Sequence, residues 1–464
     1  MESNSITATL STFAAELRFE DLPGAVVDHV ERLVLDTLGC ALGGTTTPLG
    51  ALSQRFAALS GEAPQASVAG SAARTGASQA AAANGRMAGA LDADDTFTAA
   101  GQTSHHGAPT VAAALALAER DGLSGAELLT AVAAGYEIGA RIGAAIPAHA
   151  TTPSANGGWK VGGGPAGVLA PALASARALG LDAGSTAHAF GIAGAHVELP
   201  PLKWFEGRVA PMVKSMDCGW NAASGLNAAQ LAGLGMTGHG DILDGPHGLW
   251  RALGHDHFDG DVAVAGLGER WWTLGAKIKA WPCQYWMQPS LLAFAEILIE
   301  HGLAAEELER VLLRTSSRSG APRFRDQHPE GFVTASFNFP HAAAMLALGV
   351  PAGPRWAGED ALADPRASAV RERVEVETTT AQAVIEDGML VALAGSAVVW
   401  ARGERFEASA DAPPPADLAS KLAAMVEPLG PAWAGRDAAL LALAGTLRDA
   451  PDVRGAAALL RPTG

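Results

Sequence analysis

The sequence predicts a mainly α-helical protein, with a large all-helical domain over residues 1–265, completed by 411–464, and a smaller α+β domain over 266–410. Three observations carry this. Apolar side chains in the first 265 residues recur at the three-to-four spacing of a helix face. Short runs rich in valine and threonine begin only after residue 266. Helical spacing returns after the proline break "DAPPPAD". A chain of 464 residues that is 48% hydrophobic and 17% charged has the apolar content for a large core and the length for two domains.

In "GAVVDHVERLVLDTLGCALGG", Val26, Val27, Val30, Leu33, Val34 and Leu38 share one helical face, and Gly43 and Gly44 are natural stops. "LDADDTFTAAGQTSHHGAPT", residues 91–110, then interrupts the alanine-rich texture with aspartates, threonines and two adjacent histidines. It lies between two helical runs, at a junction where a buried site is easily built. "APTVAAALALAERDG" predicts a helix ended by Asp121-Gly122, and Ser124 with Glu127 forms a capping box for a helix reaching about Ile146. "AGVLAPALASARALG" and "NAASGLNAAQLAGLG" predict further helices whose small residues allow close approach. The glycines of "GWKVGGGPAG" follow no strand and fit neither GxGxxG nor a Walker loop, so they read as a tight turn. Beyond residue 266, "LERVLLRTSS" and "RERVEVETTT" predict strands, and "GMLVALAGSAVVWARGERFEASA" predicts two or three strands with glycine turns. The helices "QPSLLAFAEILIEHG" and "SFNFPHAAAMLALG" lie between them. "DLASKLAAMVEPL" and "DAALLALAGTL" are expected to pack back on the large helical domain.

Composition narrows the function. A formal charge of -16 argues against a nucleic-acid surface, because the bulk field repels phosphate. No apolar stretch approaches ~20 residues, and no basic region precedes an apolar one at the amino terminus. A soluble cytoplasmic protein with no membrane partner is expected. Cys40, Cys218 and Cys283 are far apart and lack CxxC spacing, which predicts neither a disulfide framework nor a metal site. The eleven tryptophans read as core and cleft-wall residues. Of 32 basic residues only six are lysine, and five of these, Lys160, Lys203, Lys214, Lys277 and Lys279, fall between positions 160 and 279. Chance accounts for that clustering as readily as a pocket that holds small anions on compact ammonium charges.

Six stretches, in order along the chain, resemble the MmgE/PrpD family: "LVLDTLGCALGG", "NGRMAGALDADDT" followed by a histidine, "GYEIGARIG", "GWKVGGGPAGVLAPALASARALGLD", "GPHGLW" and "KIKAWPCQYW". The resemblance implies a large helical domain, an α+β domain, an active site between them, usually a homodimer, and chemistry that uses no metal and no organic cofactor. It carries the family's "DxDDT" and following histidine onto Asp92, Asp94, Asp95, Thr96 and His105, with His106 in the place of a proline. His105 is then the proton-transfer residue, since an imidazole titrating near neutrality can take and return a proton at carbon. Asp92 sets its tautomer or helps bind substrate, and Thr96 donates to a substrate carboxylate. On the plainer reading, Asp94 and Asp95 cap a helix and His106 is exposed. Lys214, in "PMVKSMDCGWNAA", and Lys279, in "KIKAWPC", correspond to anion-binding lysines that bind a di- or tricarboxylate and stabilise charge developing beside it. Lys277 reads as a surface residue, and Lys203 and Lys421 have no motif behind them.

Four positions depart from the family pattern: Lys160, Asp217 and Gln284 where histidine or another basic residue is common, and His341 where tyrosine is common. Each exchanges one polar group for another, which suits a pocket retooled for a different substrate, and all four are candidate substrate-binding residues. An added anion at Asp217 suits a substrate with an amino or imino group. The leading expectation is a cofactor-independent lyase, a dehydratase or decarboxylase, acting on a small di- or tricarboxylate by proton transfer at the carbon next to a carboxylate. An epimerase or isomerase of a related carboxylate is the alternative. A non-catalytic binding protein comes third, because binding alone needs no proton shuttle.

Overall fold

The computed structural model describes residues 5–61, 63–99, 102–146, 152–153, 159–160, 167–198, 207–214, 217–316, 321–379, 383–386 and 389–462. Helices dominate them. α1 (Ile6–Glu16) starts at Ser5, whose side chain accepts the Ala8 N–H. α2 (Gly24–Gly44) buries the face read from the sequence and stops at its glycine pair. Next come α3 (Pro48–Leu59), α4 (Ala77–Ala88), α5 (Gly107–Asp121) and α6 (Gly125–Ala145). α5 ends on a left-handed Gly122, and α6 opens with the Ser124–Glu127 capping box. α7 (Leu169–Ala178), α8 (Ala183–Gly194) and α9 (Cys218–Gly233) complete the bundle, followed by the short α10 (Leu249–Ala252) and α11 (Gly260–Val264).

Small residues set the spacing between these helices. A Cβ on Gly44 would lie 2.0 Å from the Met87 carbonyl oxygen, and one on Gly135 would lie 2.4 Å from the Ala170 oxygen. α2 therefore touches the end of α4, and α6 touches α7, backbone against backbone. α6 is buried on nearly every face, as a helix at the centre of a bundle must be.

The first 265 residues are nevertheless not wholly helical. β1 (Ala66–Ser67) pairs with β2 (Arg74–Thr75), β3 (Phe97–Ala99) with β4 (Gln102–Ser104), and β5 (Thr152–Pro153) with β6 (Trp159–Lys160). The reason for β3 and β4 is that the aspartate stretch enters a buried junction, where its peptide groups need partners. It finds them across the chain. Thr96 and Lys277 exchange both backbone hydrogen bonds, at 2.9 and 2.7 Å, and Ala99 faces Met389.

In the remainder, α12 (Gln288–His301) lies on a sheet of order β12-β11-β7-β8, built from β7 (Leu308–Ser316), β8 (Val374–Thr379), β11 (Gly395–Ala401) and β12 (Glu404–Ala410). β7 and β8 are parallel, with Val311 opposite Val374. Their crossover carries α13 (Phe332–Ala335), α14 (Phe339–Ala347), α15 (Glu359–Ala363) and α16 (Pro365–Arg371). β9 (Ala383–Glu386) and β10 (Met389–Leu393) extend β3 and β4 into the second sheet. α17 (Leu418–Val426) packs on α2 and α18 (Arg436–Leu441), and α19 (Arg454–Ala458) packs on α5. Among the described residues, no helix is long and apolar enough to cross a membrane.

Gly44→Ala should cost about 1–3 kcal/mol, because the atoms in its way are backbone and cannot rotate aside. Thermal denaturation reads this directly. An unchanged melting temperature would contradict the contact between α2 and α4.

Candidate active site

The site is the turn that joins α4 to β3. Asp92 takes φ 54°, a left-handed conformation that aspartate tolerates better than most residues but that still costs about 1–3 kcal/mol. What holds it there is charge. Lys214 Nζ lies 2.7 Å from Asp92 Oδ1, and Lys279 Nζ lies 3.0 Å from Oδ2. Lys279 also donates to the Asp92 carbonyl at 2.6 Å and stands 3.8 Å from Asp94 Oδ1. Lys214 also donates to the Gly89 carbonyl at 2.9 Å, which leaves it an N–H to spare.

His105, between β4 and α5, completes the cluster. Its Nδ1 is 3.2 Å from Asp94 Oδ2 and 2.8 Å from the Asp95 carbonyl oxygen. Both neighbours are acceptors, so Nδ1 carries the proton and Nε2 is left as the basic nitrogen. The His105 side chain is 21% exposed, whereas those of Asp94 and Lys279 are 2% and 0% exposed. The imidazole is thus the most exposed part of this arm.

Burial sets the charge states. It would raise the Asp92 carboxyl, but Lys214 and Lys279 override it and hold the group far below the usual carboxylate range. Asp94 follows the same pattern: burial is outweighed by His105 and Lys279, and the carboxyl falls to about 2. Lys279 would lose its proton through burial but keeps it through Asp92 and Asp94. Asp95 has no cation of its own. Burial, then the neighbouring Asp94, push it up to about 6. Its oxygens accept the Gly107 N–H, at the start of α5, and the Tyr136 hydroxyl, at 3.0 and 2.7 Å.

Several expectations need correcting. Asp92 is not the partner of His105. Asp94 is, because Asp92 is taken by two ammonium groups. Asp95 does cap α5, but Asp94 caps nothing. His106 is fully buried rather than exposed. Its Nε2 meets Ser104 Oγ at 2.8 Å, its ring stands edge-on to Tyr136, and burial followed by the His105 charge lowers it to about 3. Gly139 of "GYEIGARIG" makes the room, since a Cβ there would lie 3.1 Å from His106 Nδ1. Lys277 is exposed, as expected.

The substrate-binding candidates divide. Thr96 is buried beside Lys277, and its Oγ1 has no hydrogen-bond partner among the described residues. Gln284 gives its N–H to the Ser336 carbonyl at 2.9 Å, while Ser336 Oγ donates to the Leu91 carbonyl at 3.0 Å, so Gln284 is tied to the aspartate turn at one remove. Its Oε1 is buried and unpaired. Asp217 stands near Lys214, both lining a cavity of about 370 Å³. Its charge is already spent, however, on Arg86 at 3.0 Å and on the Gly219 and Trp220 N–H groups at the start of α9. His341 is not brought to the cluster. It is buried in α14, with Nε2 at 2.5 Å from the Trp356 carbonyl and its N–H on Asn338. The Lys160 side chain and Lys203 lie outside the described residues.

One residue was given no role from the sequence. Lys421, on α17, is buried, pairs with Asp36 of α2 at 2.5 Å, and donates to the Ala93 carbonyl at 2.6 Å. The signal was a lysine among Leu418, Leu422 and Met425 on the apolar face of a helix. Among the described residues, no three of histidine, cysteine, aspartate and glutamate converge as a metal-binding group.

Asp92→Asn keeps the shape of the side chain but leaves two ammonium groups facing an amide. Chemical denaturation should show a loss of about 3–5 kcal/mol, and wild-type stability would refute the ion-pair geometry. His341 offers a pH test. Burial lowers it from 6.5 to about 4, so its neutral form contributes stability that is present above pH 6.5 and lost as pH falls towards 4. Over that window the wild type should lose on the order of 3 kcal/mol more than His341→Gln, and identical acid limbs would place the ring in water.

Comparison with known proteins adds the lineage. A family model described as the MmgE/PrpD N-terminal domain matches residues 8–260, a span that holds Asp92, His105 and Lys214. A cis-aconitate decarboxylase of Aspergillus terreus is 30% identical over 298 residues, covering 60% of this chain and 57% of that protein. A cis-aconitate decarboxylase-like protein of Aspergillus oryzae is 29% identical over 295 residues, covering 60% and 58%. The human cis-aconitate decarboxylase is 29% identical over 252 residues, covering 53% and 49%. The chain thus spans less than two thirds of the length of these curated relatives. With a family match over more than half its length, the chain belongs to the MmgE/PrpD family.

Proposed function

We propose that the protein is a lyase that acts on a small di- or tricarboxylate, using its own side chains and no organic cofactor, by proton transfer at the carbon next to a carboxylate. The observation that carries this is the single cluster in which His105, oriented through Nδ1 by Asp94 and the Asp95 carbonyl, adjoins the two ammonium groups on Asp92. A substrate carboxylate approaches the spare N–H of Lys214. Lys279, with three oxygens around it, keeps Asp92 in place and adds positive potential. In a largely buried setting these charges act with little screening on negative charge that develops at the reacting carbon.

Two outcomes share that proton step. In decarboxylation the bond to the departing carboxylate breaks, its electrons stay on carbon, and protonated His105 delivers a proton from Nε2. In dehydration neutral His105 takes the α-proton through Nε2, the electrons of that bond form the alkene, and the β-hydroxyl leaves as water by accepting the proton that His105 has just taken. Decarboxylation draws support from relatives named as cis-aconitate decarboxylases. The epimerase alternative shares the proton step, but the added argument for it, Asp217 as a free anion for an amino or imino group, is weakened because Arg86 and α9 hold Asp217. A binding protein would have no use for an oriented imidazole with an open nitrogen. The assembly proposed with this activity is a homodimer, as the family resemblance implies, and the location proposed is the cytoplasm, in keeping with the scattered cysteines.

Release of carbon dioxide from cis-aconitate, and alkene absorbance from hydroxylated tricarboxylates, test the proposal with the purified enzyme. Activity in either assay is expected. His105→Ala should lower kcat about 10²–10⁴-fold, and Lys214→Ala should raise KM about tenfold or more through loss of a charge-assisted hydrogen bond. Deuterium exchange at the α-carbon with neither product would replace the lyase by an epimerase, and wild-type turnover by His105→Ala would remove His105 from its role.

A further inference from the structure

A groove of about 340 Å³ opens between the first half of α2, residues 276–278, β10 and the proline run 413–415. Arg32, Lys277 and His29 line it, and among the described residues no acidic side chain does. Arg32 and Lys277 are exposed, and neither side chain makes a hydrogen bond or ion pair among the described residues. Asp417, the acid whose titration Arg32 influences, is already engaged as the N-cap of α17 through the Ser420 N–H and hydroxyl. His29 Nε2 is buried without a hydrogen-bond partner.

In a chain with a net charge of -16, two cations that line one hollow with no acidic side chain among its described lining favour an anion there over the surrounding surface. The cations also repel. Burial, then Lys277, then Arg32 push the His29 imidazole down to about 4, so it is neutral at physiological pH and can donate or accept. The wall formed by residues 390–393 and the prolines is apolar, and Tyr285, only 6% exposed, borders it. A few convergent donors over an apolar wall, in a volume of this size, is the usual make-up of a small-molecule pocket. The groove is separate from the aspartate cluster. Lys279 is buried on Asp92, whereas Lys277 is exposed and lines the groove, and the Thr96–Lys277 backbone pairing joins the two places.

We propose that this groove is a second anion site, which takes a small organic oxyanion with two negative charges and an apolar body, gripped by Arg32 and Lys277 over the 390–393 wall. The proposal is independent of the activity assigned to the aspartate cluster.

Titration calorimetry on the full-length Lys214→Ala protein tests it, because that background removes the open ammonium of the aspartate cluster. Phthalate and phenyl phosphate serve as probes and distinguish a carboxylate from a phosphate ligand. Saturable one-to-one binding of at least one probe is expected, weakened tenfold or more by Arg32→Gln combined with Lys277→Gln. If the combined variant does not fold, Lys277→Gln alone decides, with an expected weakening of at least threefold. No saturable binding by either probe, or binding indifferent to these substitutions, overturns the proposal. Loss of turnover in Lys214→Ala bears only on the aspartate cluster.

Discussion

One carboxylate shared by two ammonium groups organises this protein. Asp92 sits in a left-handed backbone conformation inside the molecule, and without Lys214 and Lys279 neither its conformation nor its charge is favourable there. Lys279 depends on Asp92 in turn, since a buried ammonium with no counter-charge would give up its proton. The three groups form a unit that is stable only when complete. Around it the carbonyls of the turn are taken by side chains from distant segments: Gly89 by Lys214, Leu91 by Ser336, Asp92 by Lys279 and Ala93 by Lys421. A turn of irregular backbone can be buried because each of these oxygens meets a donor.

That arrangement explains the topology. The donors come from the segment before α9, the region between α11 and α12, the end of α13 and the C-terminal helix α17. The buried carbonyls of the turn are satisfied only with all four segments in place. The pairing of β3 with β10 and of Thr96 with Lys277 serves the same end, bringing the second half of the chain against residues 92–105. His105 can then be both oriented and accessible. Its Nδ1 is fixed from within while its ring borders solvent.

Local signals were readable from the sequence. The apolar face of α2, the glycine stop of α5 and the Ser124–Glu127 box depend on residues within a few positions of one another, and the structure reproduces them. The strands after residue 308 were legible for the same reason. The residues of the site were legible as a set but not in their pairings. Sequence could place Asp92, Asp94 and His105 in one turn, yet which aspartate faces the imidazole depends on where two lysines arrive from elsewhere. Lys421 was given no role because its partner, Asp36, is on another helix and both lie on faces that read as apolar core. His106 looked exposed because nothing local announces the hollow that Gly139 leaves for it. His341 was assigned by its position in a motif, and its ring instead serves the packing of α14 against the Trp356 segment.

The most direct measurement of the central claim is a carbon-13 NMR titration of aspartate side-chain carboxyls, with Asp92 and Asp95 assigned by substitution. Asp92 should show no inflection anywhere in the range over which the protein stays folded, because two ammonium groups keep it ionised, while Asp95 should titrate at about 6. An Asp92 signal that titrates alongside ordinary surface carboxylates would mean that the lysines do not bracket it, and the account of the site would fail with it.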